Sequence, residues 1–149
     1  MTAAPTIHAS AVLVGARAVL IRGPSGAGKS RLAFELIEAG RTGRFAFTRL
    51  VGDDRLELSA VNGRLLVRPA PALAGLIEVR GAGIFRLDYE PGAVVGLVVD
   101  LAAEDAQRLP EQAQITLESV KLPRLAVPSG LSALSGIVAL LTLEMTAGA

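Results

Sequence analysis

The stretch Ala18-Val19-Leu20-Ile21-Arg22-Gly23-Pro24-Ser25-Gly26-Ala27-Gly28-Lys29-Ser30 decides how the rest of the chain is to be read. Its second part, Gly23 to Ser30, fits the eight-residue phosphate-loop pattern: two glycines bracketing four residues, then Lys and a hydroxyl. Glycines let the backbone turn tightly and aim successive N–H groups at phosphate oxygens, forming an anion nest. Lys29 reaches the outer phosphates as a point charge, and the Ser30 hydroxyl is placed to ligate Mg²⁺. Gly23, Pro24, Ser25, Gly26, Ala27, Gly28, Lys29 and Ser30 are therefore the nucleotide-binding candidates.

The flanks agree. Ala18 to Ile21 is a short apolar run, read as a buried strand entering the loop. From Ser30 to Ala39 the apolar residues Leu32, Ala33, Leu36 and Ile37 follow helical spacing, and Gly40 stands where a C-cap glycine belongs. Strand, loop and helix in this order place phosphate at a helix N-terminus. A glycine-rich turn that merely ends in Lys-Ser would not need either flank.

Composition bounds the remaining choices. With 149 residues, half of them hydrophobic, the chain suits one compact domain, 1–149, with a sizeable core. A net charge of +1 with only four Phe and one Tyr makes phosphate-backbone tracking and base stacking poor candidates for its work. Nucleic acid is thus not an expected partner. The absence of cysteine excludes disulfides and thiolate chemistry and fits a reducing compartment. No run approaches the roughly 20 apolar residues of a membrane span, and no signal peptide is read at the N-terminus. The expected location is the cytoplasm, with no membrane partner.

Along the chain, Met1 to Ile7 reads as a loose lead-in. Ser10 to Val14 and Ala18 to Ile21 read as a hairpin feeding the loop. Leu50-Val51-Gly52-Asp53-Asp54 puts two carboxylates at the end of an apolar segment. Such acids either make turn hydrogen bonds or, downstream of a phosphate loop, serve one near the metal and one as proton acceptor. The loop upstream favours the second reading. Arg55 to Arg68, with Asn62-Gly63, reads as a scaffold hairpin. Glu78 and Arg80 alternate with aliphatic residues before Gly81 and Gly83. That arginine either contacts phosphate or transition-state charge, or lies on a solvated edge. Ala93 to Leu101 reads as a central buried strand, with Asp100 capping a short helix from Ala102 to Leu109. Ile115 to Leu117 and Leu125 to Val127 are further strands, with Lys121 and Arg124 on the connection between them. A long apolar helix from Gly130 to Met145, capped by Ser129 or Ser132, is expected to close the fold or face another subunit.

Taken together, His8 to Val14, the phosphate loop, Leu50 to Asp54, Ile77 to Ile84 and Lys121 to Pro128 resemble the catalytic domain of HPr kinase/phosphorylase. The resemblance implies an α/β phosphate-loop domain of the HPr kinase and phosphoenolpyruvate carboxykinase type. A mixed sheet, the loop helix and a long C-terminal helix belong to that expectation. It implies a kinase that uses ATP and Mg²⁺ to phosphorylate a serine of HPr, the small phosphocarrier of the sugar phosphotransferase system, and that can run as a phosphorylase. By the same resemblance Asp53 is the general base, Lys29, His8 and Arg80 join it in catalysis, and Ser30, Asp54 and Glu78 attend the metal. A homo-oligomer is expected, in the short form known from alphaproteobacteria that lacks an N-terminal domain. One departure stands out: the family's arginine-bearing run after the proline is replaced here by Ser129-Gly130-Leu131-Ser132, which weakens the phosphorylase half. A small-molecule kinase and a non-catalytic ATP sensor are the alternatives, and the paired Asp argues against the sensor.

Overall fold

The computed structural model describes residues 5–106 and 114–143. It is an α/β fold, a curled mixed sheet with two helices. The strands are β1 (Thr6–His8), β2 (Ser10–Val14), β3 (Arg17–Arg22), β4 (Thr48–Gly52), β5 (Arg55–Val61), β6 (Arg64–Pro69), β7 (Leu76–Val79), β8 (Gly83–Arg86), β9 (Ala93–Asp100), β10 (Gln114–Leu117) and β11 (Val120–Ala126). The helices are α1 (Lys29–Arg41) and α2 (Leu134–Thr142).

The main sheet runs β1-β5-β6-β9-β3-β2-β4. β9 is its centre: β3 pairs with it in parallel along one edge. On its other edge, the start of β9 meets β6 antiparallel and its end meets β11 in parallel. β7 and β8 form a separate two-stranded ribbon. Both faces of the central strands are covered, which is why they read as unbroken apolar runs. Val19, Ile21, Leu97 and Val99 pack towards Leu32, Leu36 and Ile137 of the helices. Their neighbours Ala18, Leu20, Val95 and Val98 pack with Leu56, Leu65 and Val67 of the β5–β6 hairpin. The Asn62-Gly63 turn has both residues at positive φ (51° and 75°), the geometry of a tight two-residue hairpin.

The α1 helix runs through Gly40 to Arg41, two residues past the Ala39 end that the glycine suggested. Arg44 donates to the Ala39 carbonyl and Gly43 to that of Gly40, a Schellman closure with Gly43 in the left-handed conformation. Gly40 serves packing instead. A Cβ there would collide with the Thr48 side chain, so its bareness lets β4 lie against the helix.

Four expectations are corrected. The end of the lead-in is a strand, since Thr6–His8 forms β1 against β5. Lys121 and Arg124 lie inside β11 rather than on a connection, because the turn back from β10 is made earlier, by Glu118 and Ser119 at positive φ. Residues 102–106 form turns rather than a helix, and Asp100 is engaged with arginines instead of capping; residues 107–109 lie outside the described part. The expected long C-terminal helix is nine residues, Leu134–Thr142; the stretch from Gly130 to Ala133 turns instead, and Met145 lies outside the described part. Ser132 Oγ accepts a hydrogen bond from the Leu134 N–H as the helix begins (3.3 Å). Ile137 is fully buried, whereas Leu140 and Leu141 are exposed. Among the described residues no helix is long and apolar enough to cross a membrane.

Candidate active site

Strand direction gathers the site. β2 runs antiparallel to both β3 and β4, so its first residues lie beside the carboxyl ends of those two strands. The phosphate loop leaves β3, the Asp53-Asp54 pair leaves β4, Ser10 starts β2, and His8 ends β1 just before it. β9 and β11, parallel to β3, deliver their own carboxyl ends to the same side. Ligands of open parallel sheets bind in this position.

The loop runs from Gly23 to Gly28, with Gly26 and Gly28 at φ +84° and +99°, conformations that L side chains rarely adopt. Gly28 is the N-cap of α1 and offers no side-chain cap; the first turn carries no acid either. The first N–H groups of the helix are thereby left for an incoming anion. Lys29 Nζ folds back over the loop and donates to the carbonyls of Gly23 (2.8 Å) and Pro24 (3.2 Å).

Asp53 is buried, with 4% of its surface exposed. Its Oδ1 accepts from Ser10 Oγ (2.5 Å), and its two oxygens accept from Ser30 Oγ at 2.8 and 2.9 Å. The Glu78 backbone N–H donates to Oδ2 at 3.2 Å, which brings β7 to the site. No ion pair reaches Asp53 among the described residues. Asp54 is its opposite. It adopts a left-handed backbone (φ 72°), and its side chain is two-thirds exposed. His8 Nδ1 lies 3.7 Å from its carboxylate and is similarly exposed. A non-glycine residue held at positive φ is strain that Asp tolerates better than most, and it turns this carboxylate out of the core.

The Glu78 side chain is exposed, so β7 approaches Asp53 through its backbone. Arg80 stands exposed in the turn between β7 and β8, with no hydrogen bond or ion pair among the described residues. Among the described residues no group of three His, Cys, Asp or Glu side chains is preassembled for a metal. Mg²⁺ needs no such cage: it is commonly held by one or two protein oxygens together with substrate phosphates and water. The Ser30 hydroxyl and the Asp53 carboxylate are hard oxygen donors in contact with one another, and they fit it.

Two features escaped the sequence. Ser10 reads as part of an apolar run, yet it is buried and its hydroxyl binds Asp53; a lone hydroxyl in an apolar strand was the available signal. The second is an ion-pair cluster. Arg22 holds Asp100 through two parallel bonds, Nε to Oδ1 (2.7 Å) and Nη2 to Oδ2 (2.8 Å). Arg124 Nε donates to Asp100 Oδ2 (2.5 Å), while its Nη1 and Nη2 hold Asp105 at 2.7 and 3.1 Å. Burial pushes the Asp100 pKa up, but hydrogen bonds and charge from both guanidiniums outweigh it and leave the value lowered. Asp105 is also lowered, chiefly by its hydrogen bond from Arg124, whose own pKa is raised, first by Asp105 and then by Asp100.

Comparison with known proteins gives the family and the fold. A family model described as HPr Serine kinase C-terminal domain matches residues 1–130. The chain is 37% identical over 140 residues to an HPr kinase/phosphorylase of Geobacillus kaustophilus, covering 84% of this chain and 43% of that protein. It is 35% identical over 136 residues to the one from Limosilactobacillus reuteri, covering 83% and 40%. The chain thus spans less than half the length of these relatives. The solved structure of the HPr(Ser) kinase/phosphatase from Coxiella burnetii superposes with a TM-score of 0.73 at 24% identity, covering 92% of this chain and 93% of the other, which is a likeness of fold.

Proposed function

The chain belongs to the HPr kinase/phosphorylase family, and we propose that it transfers the γ-phosphoryl group of ATP to a serine of the phosphocarrier HPr. The observation that carries the reading is the contact between the phosphate-loop Ser30 hydroxyl and a buried strand-end carboxylate, beside a helix N-terminus without a cap. That combination suits phosphoryl transfer, in which the protein positions groups and holds charge.

The loop amides and Lys29 grip the β- and γ-phosphates; Lys29 must first leave the carbonyls of Gly23 and Pro24. Ser30 and Asp53 would hold Mg²⁺, which when bound spreads the charge of the phosphates. Between the two acids we assign the proton to Asp54 and the metal side to Asp53, the reverse of the order expected from the sequence. Support comes from occupancy: both Asp53 oxygens are engaged by Ser10, Ser30 and Glu78, whereas Asp54 is exposed and, among the described residues, is paired only with His8. Asp54 accepts the serine proton as the hydroxyl oxygen takes the γ-phosphoryl group and ADP leaves. In phosphorolysis, inorganic phosphate takes the phosphoryl group as pyrophosphate, and protonated Asp54 gives its proton to the leaving serine oxygen. His8 orients the Asp54 carboxylate. Arg80, at the ribbon turn two residues beyond Glu78, would meet the transferred phosphate, and Glu78 would border the metal.

Incubation with ATP, Mg²⁺ and purified HPr, followed by intact-protein mass, tests this directly. One added phosphate on HPr is the expected result. Nucleotide binding without any product would leave an ATP sensor and overturn the kinase reading.

A further inference from the structure

Ser10 lies between two fully buried alanines, Ala9 and Ala11, and is itself 1% exposed. Were it only filling space, alanine would serve there as it does on either side. Its hydroxyl has one partner among the described residues, Oδ1 of Asp53. We propose that Ser10 is a positioning residue for Mg²⁺: it fixes the Asp53 carboxylate so that this group and the Ser30 hydroxyl meet the cation together. The proposal rests on the reading in which Ser30 and Asp53 would hold the metal, and it adds the residue on which their alignment depends.

The hydrogen bonds around Asp53 leave room for a cation and divide its donors by task. An ionised carboxylate has about four lone-pair sites. Three donors reach Asp53: Ser10 on Oδ1, the Ser30 hydroxyl across both oxygens, and the Glu78 N–H on Oδ2. A hydroxyl carries one proton and two lone pairs. With its proton turned to Asp53, Ser30 still has oxygen lone pairs to offer a metal. Ser10, walled in by apolar neighbours, has no second task.

The three donors also differ in what holds them. Ser30 sits in the first turn of α1, beside a loop whose Lys29 is bonded to loop carbonyls and must leave them to reach phosphate. The Glu78 N–H comes from the β7–β8 ribbon, which is separate from the main sheet. Ser10 alone is carried by the main sheet. It stands opposite Ile21 of β3, and the next residue, Ala11, stands opposite Gly52 of β4, the residue before Asp53. The Ala9 N–H donates to the Asp54 carbonyl (3.2 Å), which ties the start of β2 to the backbone of the acid pair. Ser10 and Asp53 are therefore held on one frame, independent of loop and ribbon. Mg²⁺ demands near-ideal octahedral geometry, so a ligand whose direction is fixed beforehand binds it better than one free to turn.

The test titrates ATP at a series of Mg²⁺ concentrations, with a parallel arm in EDTA. It is run on the wild type, Ser10→Ala, Ser10→Thr, Asp53→Asn and the double variant Ser10→Ala with Asp53→Asn. For Ser10→Ala the Mg²⁺ concentration giving half-maximal ATP binding is expected to rise about tenfold, the scale on which loss of a group orienting a metal ligand acts. Its ATP binding in EDTA is expected to stay unchanged. Ser10→Thr, which keeps the hydroxyl, restores the wild-type Mg²⁺ dependence. In the Asp53→Asn background, Ser10→Ala adds no further loss, because the group it positions is gone; this comparison does not depend on the threonine methyl finding room. Unchanged Mg²⁺ dependence in Ser10→Ala, equal losses with Mg²⁺ and in EDTA, or the full loss repeated in the Asp53→Asn background would overturn the role of Ser10. A wild type whose ATP binding ignores Mg²⁺ sinks the metal reading of Ser30 and Asp53 instead.

Discussion

Among the described residues, Asp53 and Asp100 are the two buried carboxylates, at the carboxyl ends of β4 and β9 with β2 and β3 between them, and they are held in opposite ways. Asp100 is charge-balanced, gripped by two guanidiniums, one of which is balanced again by Asp105. Asp53 is held by two hydroxyls and one amide, with no Lys, Arg or His in contact among the described residues. A buried carboxylate is costly unless its charge is met, and hydrogen bonds from neutral donors meet it only in part. The saturated pair is architecture: it locks strand ends. The unsaturated acid next to a phosphate loop is where, on the proposed reading, a metal cation would complete the shell.

Breaking the loop gives the largest effect on this contrast. Lys29→Ala is expected to abolish phosphoryl transfer and to weaken ATP binding strongly, with the unfolding midpoint nearly unchanged because the side chain touches only loop carbonyls. Asp53→Asn comes next. ATP binding in the presence of Mg²⁺ is expected to fall by about tenfold or more, as loss of a group supporting a metal commonly does, while binding without Mg²⁺ changes little. Equal changes with and without the metal would place Asp53 with Asp100 among purely structural acids.

Asp100→Asn should show the smaller, complementary effect. Stability is expected to fall by about 2 kcal/mol, the scale of hydrogen bonds to charged groups, measured by denaturant unfolding at neutral pH. Because folding lowers the Asp100 pKa beneath its ordinary 3.8, its contribution is complete above that value. It is lost as pH falls through the lowered folded value, so the gap between wild type and variant closes in strong acid. A gap that widened in acid would contradict the pairing.

Local chemistry made much of this legible. The glycines and Lys-Ser of the loop, the apolar run of β3, the spacing of α1 and the Asn62-Gly63 turn each carry their own signal, and each element lies where its residues indicated. What was missed depends on contacts distant in sequence. Ser10 and Asp53 are 43 residues apart, and Arg22 and Asp100 are 78. Asp100 looked like a helix cap because nothing nearby in sequence announces two arginines. Gly40 looked like a helix stop because the Thr48 methyl and hydroxyl that demand its bareness arrive from another strand. The C-terminal helix is shorter than its sequence pattern implies because apolar residues from Leu131 onward continue a helical spacing through a segment that turns.

Single-turnover transfer to HPr by Asp54→Asn, at saturating ATP and Mg²⁺ and beside the wild type, tests the account at its centre. The expected result is a rate at least about a hundredfold slower, the usual worth of a positioned base, with ATP affinity unchanged. A variant as fast as wild type would contradict the assignment of the serine proton to Asp54, and a wild-type chain that leaves HPr unphosphorylated would contradict the proposed function as a whole.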